Sequence, residues 1–177
     1  MEKEELAKKV LEVSYLEGDF TLRSGRRSHY LIDKYEFETR PHLLRAVARE
    51  LRDILPPDAT RLAGVELGGI PLATAVSLES DLPFVIVRKE KKGHGHDTLM
   101  EGELQDGEHV VLLEDVTTTG GTACSAAERL LEAGAGQVTV LVVVDRQEGA
   151  EETFGEAGIP YETLFTRESL GIEADHE

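Results

Sequence analysis

Two adjacent carboxylates, Glu114 and Asp115, stand where an apolar run meets a turn of threonine and glycine. The apolar run covers residues 110–113, the turn covers residues 117–122, and a helical pattern follows directly. This order predicts a buried strand, a turn that cradles a phosphate and a helix N-terminus, because glycines let backbone N–H groups approach an anion and the helix dipole favours it. The carboxylates could accept hydrogen bonds from the hydroxyls of a sugar that carries the phosphate. The segment therefore predicts a pocket for a ribose 5-phosphate.

The same segment allows a plainer interpretation. A turn rich in threonine and glycine often serves only as the N-cap of the next helix, and two acids at the end of a strand can simply face water. Two better-known phosphate loops are excluded, since the turn has neither the Gly-Lys-Ser/Thr of a P-loop nor the Gly-x-Gly-x-x-Gly of a dinucleotide fold.

The chain is strongly acidic and its few bases are clustered. Thirty-five acidic residues against 19 basic ones give a net charge of −16, which disfavours a nucleic-acid partner and suits a protein that works at high salt. Four of the 19 bases lie within residues 88–92, and a second group comprises Arg23, Arg26 and Arg27. Both groups flank expected loops. Cations concentrated in the loops of an acidic protein indicate that a small polyanion binds there.

Length and composition predict a single domain that spans residues 1–177. No apolar run approaches the roughly 20 residues needed to cross a bilayer, and the charged N-terminus is not followed by an apolar signal segment. These features predict a cytoplasmic protein with no membrane partner. Cys124 is the only cysteine, which excludes an intramolecular disulfide and is typical of a small buried residue in a reducing compartment.

Apolar patterning predicts strands that alternate with helices. The spacing of apolar residues over 3–17 predicts a first helix closed by Gly18, and Pro41 begins a second that runs to about residue 55. Further helices are predicted over 70–78, 122–133 and 151–157, and strands over 20–22, 30–32, 62–65, 84–87, 110–113, 138–144 and 161–165. Apolar strands separated by helices pair in parallel with both faces covered. The predicted fold class is α/β, an open doubly wound parallel sheet with flanking helices.

The candidate loops all follow predicted strands. In such sheets ligands bind beyond the carboxyl ends of the strands, and the loops at 66–69, 88–92, 114–121 and 145–149 all lie there. The polar stretch 88–108 is long for a structureless connection, which predicts a mobile, cationic lid over a polyphosphate. The alternative is a solvated hairpin whose charges face water.

Several of these segments together resemble the orotate phosphoribosyltransferases of the type I phosphoribosyltransferase fold. Residues 20–28 are similar to the family's N-terminal hood segment, 64–71 to its pyrophosphate loop and 88–95 to its mobile catalytic loop. Residues 110–122 resemble its phosphoribosyl-pyrophosphate signature, and 145–149 a later strand end. The resemblance implies a small hood at residues 1–40 and an α/β core at 41–177. This sequence departs from the common family pattern at Arg23, where the family often has lysine. It also departs at residues 66–71, which contain no lysine.

The resemblance also implies the reaction. Orotate and 5-phosphoribosyl 1-diphosphate (PRPP) would give orotidine 5′-phosphate and pyrophosphate, in the de novo synthesis of UMP. Mg²⁺ would be held mainly by substrate oxygens, so no direct protein ligands to the metal are expected. The mobile loop would reach into the site of a neighbouring subunit, which implies a homodimer. No nucleic-acid or membrane partner is expected.

Site residues are implied by the same matches. The residues expected to act in catalysis are Lys92, Glu114 and Asp115. Those expected to bind PRPP are Arg88, Lys89, Lys92, His94, Glu114, Asp115, Val116, Thr117, Thr118, Thr119, Gly120, Gly121 and Thr122. Those expected to bind orotate are Arg23, Thr118 and Arg146. The planar guanidinium of Arg146 can bind the orotate carboxylate through two parallel hydrogen bonds. The alternative for Arg146 is an ordinary ion pair with Glu148 or Glu151.

Two rival functions use the same sugar-phosphate site. The first is a phosphoribosyltransferase for a purine or another base. The second is a regulatory protein that senses PRPP and binds nucleic acid, against which the net charge of −16 and the retained lid lysines both weigh.

Overall fold

The computed structural model describes residues 1–21, 25–89 and 99–174. Its helices are α1 (Lys3–Ser14), α2 (Tyr35–Glu38), α3 (Pro41–Asp53), α4 (Gly69–Ser80), α5 (Gly121–Glu132) and α6 (Ala150–Ala157). Its strands are β1 (Tyr15–Thr21), β2 (Arg27–Ile32), β3 (Arg61–Val65), β4 (Phe84–Val87), β5 (Met100–Glu101), β6 (His109–Thr117), β7 (Gln137–Asp145) and β8 (Tyr161–Thr166). None of the helices in these ranges is long and apolar enough to cross a membrane.

The central sheet has the strand order β5-β4-β3-β6-β7-β8 within the described residues. Neighbouring strands pair in parallel along the series β4, β3, β6, β7 and β8. The strand β5 pairs antiparallel with β4 and forms one edge of the sheet. Along β6, Val111 and Leu113 join one buried cluster while Val110 and Leu112 join the other. The first cluster includes side chains of α3 and α4, and the second includes side chains of α5 and α6. The predicted doubly wound α/β sheet is confirmed.

The hood is built from α1, β1, β2 and α2, with β1 and β2 paired antiparallel. Apolar spacing predicts a helix to residue 17, but α1 ends at Ser14, and Gly18 lies within β1 instead of capping a helix. Tyr15 pairs with Ile32, and its ring stacks on Tyr30 with 5.8 Å between centroids. Strand pairing and burial of this aromatic pair outweigh the local helical pattern.

The polar stretch after β4 contains a short strand that the sequence does not predict. Met100 pairs with Val87 and Glu101 with Ile86, so β4 and β5 form an antiparallel pair. This pairing corrects the expectation of a structureless segment over 88–108 and agrees with the hairpin alternative. Residues 90–98 lie outside the described part of the chain, so the predicted lid stays a prediction.

Candidate active site

The paired acids lie inside β6 and not in the loop after it. The strand continues through Glu114 and Asp115 to Thr117, because it stays in register with β7 up to the pairing of Thr117 with Asp145. The prediction that the strand ends at residue 113 is therefore wrong. Strand hydrogen bonding fixes the backbone of both acids, which places them at the carboxyl edge of the sheet with defined geometry.

Asp115 is buried and held by two contacts. Its Oδ1 accepts a hydrogen bond from the Val116 backbone N–H at 2.6 Å, and its Oδ2 lies 2.7 Å from the Nζ of Lys34. The carboxylate also packs against Gly68 in the loop after β3. A Cβ built at Gly68 would stand 1.6 Å from Oδ2, so only glycine leaves room for this acid.

Glu114 is more open than its neighbour, but one of its oxygens is buried. Its Oε2 has no hydrogen-bond partner among the described residues. Burial raises the pKa of Glu114, the charge of Asp115 raises it further, and Lys34 and Lys89 oppose the shift. A carboxylate with an unused buried oxygen is suited to accept a hydrogen bond from a ligand hydroxyl.

A third acid, Glu38, lies behind the pair. It is 3% exposed, and neither of its carboxyl oxygens has a hydrogen-bond partner in the described chain. Burial raises the pKa of Glu38 to about 8, and the charge of Asp115 adds to the shift while Lys34 opposes it. Burial therefore favours the protonated form of Glu38 at neutral pH. The sequence reasoning missed both Lys34 and Glu38, because no local pattern sets a lysine and an acid of the hood apart from solvent-facing charges.

The turn after β6 has the form that a phosphate site requires. Gly120 adopts a left-handed conformation at φ 78°, and α5 begins at the next residue. Gly120 of this turn is the N-cap of α5, and no side chain in the described residues caps the first turn, so the threonine hydroxyls are not used as caps. Thr119, Gly121 and Thr122 are exposed. Backbone N–H groups and hydroxyls are thus presented at the positive end of a helix dipole.

Arg146 follows β7 and lies beside this turn. Its backbone N–H donates to the Thr117 carbonyl at 3.0 Å, which joins the end of β7 to the phosphate turn. Its side chain is 3% exposed, with Nε 2.7 Å from Glu148 Oε1 and Nη2 donating to Ser28 Oγ at 3.0 Å. The ion pair with Glu148, given above as the alternative for this arginine, is present.

The first residues after β4 are anchored to α5, to the residue before β5 and to the loop after β3. The Arg88 carbonyl accepts a hydrogen bond from Arg129 Nη1 at 3.0 Å, and its backbone N–H donates to the Leu99 carbonyl at 2.8 Å. The Lys89 backbone N–H donates to Glu66 Oε2 at 3.2 Å.

The sequence-predicted site residues therefore divide into three groups. Those at the end of β6 and the start of α5 form one continuous segment: Glu114, Asp115, Val116, Thr117, Thr118, Thr119, Gly120, Gly121 and Thr122. Arg146 adjoins that segment, while Arg88 and Lys89 begin the neighbouring loop, where the charge of Lys89 acts on Glu114. Arg23, Lys92 and His94 lie outside the described residues.

Comparison with known proteins agrees with this geometry. The model of the phosphoribosyl transferase domain family matches residues 37–155. The orotate phosphoribosyltransferase of Natronomonas pharaonis is 49% identical over 153 residues, which cover 86% of this chain and 87% of that protein. The chain belongs to the orotate phosphoribosyltransferase family.

Solved structures of orotate phosphoribosyltransferases share this architecture. The enzyme of Aeropyrum pernix aligns with a TM-score of 0.83 at 34% identity, covering 93% of this chain and 95% of that one. The Mycobacterium tuberculosis enzyme in complex with PRPP aligns with a TM-score of 0.78 at 29% identity, covering 96% and 99%. The resemblance inferred from the motifs, and the orotate phosphoribosyltransferase fold it implied, are both confirmed.

Proposed function

We propose that this chain transfers the 5-phosphoribosyl group of PRPP to orotate, which gives orotidine 5′-phosphate and pyrophosphate for the synthesis of UMP in the cytoplasm. The observation that carries the proposal is the continuous segment in which Glu114 and Asp115 lead directly into the uncapped turn at the start of α5. One segment thereby offers carboxylates for sugar hydroxyls and N–H groups for a phosphate ester. Membership of the orotate phosphoribosyltransferase family supports the choice of reaction.

The acids act on the sugar. Glu114 and Asp115 accept hydrogen bonds from the ribose 2- and 3-hydroxyls. When the bond to the leaving group breaks at the anomeric carbon, positive charge develops on the ring, and two carboxylates close to it stabilise that charge. This is electrostatic catalysis by groups already in place, and it requires no covalent nucleophile.

The turn from Thr117 to Thr122 binds the 5-phosphate. Its backbone N–H groups and hydroxyls donate to the phosphate oxygens, and the dipole of α5 favours the negative charge. The connection from Arg146 to the Thr117 carbonyl keeps the phosphate turn and the base-binding side in fixed relation. Phosphate binding therefore orients the anomeric carbon toward the incoming base.

The cations after β4 act on the leaving group. Arg88, Lys89, Lys92 and His94 stabilise the pyrophosphate as its charge grows, and closure of this loop excludes water from the reacting sugar. We propose that the loop completes the site of a second subunit in a homodimer. The hydrogen bond from Lys89 to Glu66 supports a loop whose base is anchored beside the acids.

Orotate is bound on the hood side. Arg146 receives the orotate carboxylate, with Arg23 and Thr118 completing the pocket. Because Glu148 already contacts the guanidinium, we propose that the orotate carboxylate binds in competition with the Glu148 carboxylate.

Mg²⁺ fits this site as part of the substrate. The described residues contain no group of three or more His, Cys, Asp or Glu side chains able to hold a metal, and Asp115 is engaged by Lys34. Pyrophosphate and ribose oxygens supply the hard oxygen ligands that Mg²⁺ prefers. When bound, the ion neutralises the pyrophosphate of the substrate.

A spectrophotometric assay that follows the loss of orotate in the presence of PRPP and Mg²⁺ tests the proposal. We expect turnover with orotate and none with adenine, hypoxanthine, guanine or uracil. Faster turnover with another base would instead identify the chain as a phosphoribosyltransferase for that base. Binding of PRPP without turnover of any base would favour the sensor.

A further inference from the structure

Lys34 is the charged group in direct contact with the buried acid of the site. It lies between β2 and α2, and its ammonium is 2.7 Å from Asp115 Oδ2. The Lys34 side chain is 30% exposed whereas that of Asp115 is 2% exposed, so the pair connects the surface of the site to its interior. A Cβ at Gly68 would lie 3.2 Å from the same Nζ, which places the ammonium at the loop after β3 as well.

The charges around this pair are unbalanced. The titratable groups that act on it come from three places in the fold: Lys34, Tyr35 and Glu38 in and before α2, Glu114 and Asp115 on β6, and Lys89 after β4. Three carboxyl groups therefore share two lysines. Lys89 donates its backbone N–H to Glu66, and of the two lysines only Lys34 is in contact with a carboxylate of the pair.

The position of Asp115 depends on this contact. Within the described residues, its other hydrogen bond comes from the adjacent backbone N–H of Val116 and constrains only Oδ1. A buried carboxylate that loses its cation is left uncompensated, so it turns toward water or takes up a proton. Burial lowers the pKa of Lys34, but the charge and hydrogen bond of Asp115 raise it more, so the lysine stays charged.

We propose, on the basis of the transfer reaction inferred above, that Lys34 is a positioning residue for the sugar-binding acids. Its ammonium holds the Asp115 carboxylate against Gly68 and balances the negative charge beside Glu114, so that both acids can accept the ribose hydroxyls of PRPP.

Lys34→Met tests this role, because methionine keeps the length of the side chain and removes its charge. We expect kcat/KM for PRPP at pH 7 to fall at least tenfold, while KM for orotate changes less than threefold. Lys34 lowers the pKa of both Glu114 and Glu38, so its loss raises them. The rising limb of the kcat/KM profile should therefore move to higher pH.

Two further variants separate positioning from simple stabilisation. Lys34→Arg keeps the cation and should restore most of the activity and the pH profile. Lys9→Met is the matched control, because Lys9 also lies 2.7 Å from its partner, Glu5, but in an exposed pair on a helix. This control should leave the activity and the pH profile unchanged. Calorimetric titration with PRPP and Mg²⁺ gives a readout independent of turnover, and should show at least tenfold weaker binding for Lys34→Met only.

The outcomes are distinct. If Lys34→Met matches Lys9→Met in kcat/KM, pH profile and PRPP affinity, Lys34 has no positioning role. If Lys34→Met does not fold, an unshifted pH profile together with unaltered PRPP affinity in Lys34→Gln overturns the proposal equally. A wild-type protein that does not consume orotate would instead refute the proposed function.

Discussion

The guanidinium of Arg146 lies 4.1 Å from the centre of the Tyr30 ring, so a strand end of the core is packed against the hood. Tyr30 is fully buried, and Glu148 reaches both Arg146 and Arg26 on the hood. The proposed orotate site thus lies at a junction of the two parts of the fold. A cation–π contact in such a desolvated place contributes about 2 kcal/mol.

Replacing Arg146 by alanine should weaken orotate binding specifically. Loss of charge-assisted hydrogen bonds to a carboxylate costs about 1.5–3 kcal/mol, so we expect KM for orotate to rise roughly 10- to 100-fold while PRPP affinity changes little. Steady-state kinetics with each substrate varied in turn measure both. Glu148→Ala is the control, since it removes the ion pair and leaves the guanidinium. Equal increases in KM for the two variants would mean that the arginine serves only the ion pair.

Gly68→Ala should displace Asp115. The added Cβ would stand 1.6 Å from its Oδ2, and Gly68 has an ordinary helical φ of −66°, so crowding is the cause of any effect. We expect kcat/KM for PRPP to fall roughly 100-fold or more, as for loss of an electrostatic catalytic group. Gly155→Ala is the matched control, because nothing lies within 4 Å of its Cβ. A Gly68→Ala protein as active as Gly155→Ala would contradict the packing of the acid against this loop.

Glu38→Gln should change how stability depends on pH. Burial raises the pKa of Glu38 from 4.5 to about 8, so between these values the folded protein binds a proton that the unfolded chain releases. The free energy of unfolding therefore falls as pH rises through this window, and glutamine, which cannot ionise, removes that contribution. In urea unfolding at pH 5 and pH 9, the free energy of unfolding should decrease less between the two pH values for Glu38→Gln than for the wild type. Equal losses would mean that Glu38 is already ionised in the folded state.

Replacing Lys92 by alanine should lower kcat strongly and affect substrate affinity less. The resemblance assigns this lysine to the departing pyrophosphate, where a cation acts mainly in the transition state, and we expect a loss of about 100-fold in kcat. Steady-state kinetics with Mg²⁺ and PRPP in excess measure it. Lys91→Ala, which removes a neighbouring charge from the same stretch, is the control. Unchanged turnover in Lys92→Ala would show that this lysine is not catalytic.

Much of the core could be predicted from the sequence because its signals are local. Continuous apolar runs such as 84–87 and 138–144 are too short for helices and too apolar for exposed strands, so they predict buried parallel strands. The order of strands and helices then places the candidate loops at one edge of the sheet. Membership of the family was also readable from the motifs.

Other features depended on partners distant in sequence. The strand β6 extends beyond residue 113 because Glu114 and Thr117 pair with β7, and β5 exists because Met100 pairs with Val87. Pairing with a distant strand can extend a strand beyond the end of its apolar run. A short stretch of sequence does not include both partners, so it cannot predict this pairing.

The sequence alone determined the chemistry of the site: two acids, a threonine- and glycine-rich turn and clustered cations. Only the tertiary structure decided which charges meet. Lys34 and Asp115 are 81 positions apart in the chain, yet 2.7 Å separates their charged atoms. The raised pKa of Glu38 likewise results from its burial and from the charge of Asp115 on β6. Local pattern encodes residue type and periodicity, whereas the energy of a charge depends on what surrounds it after folding.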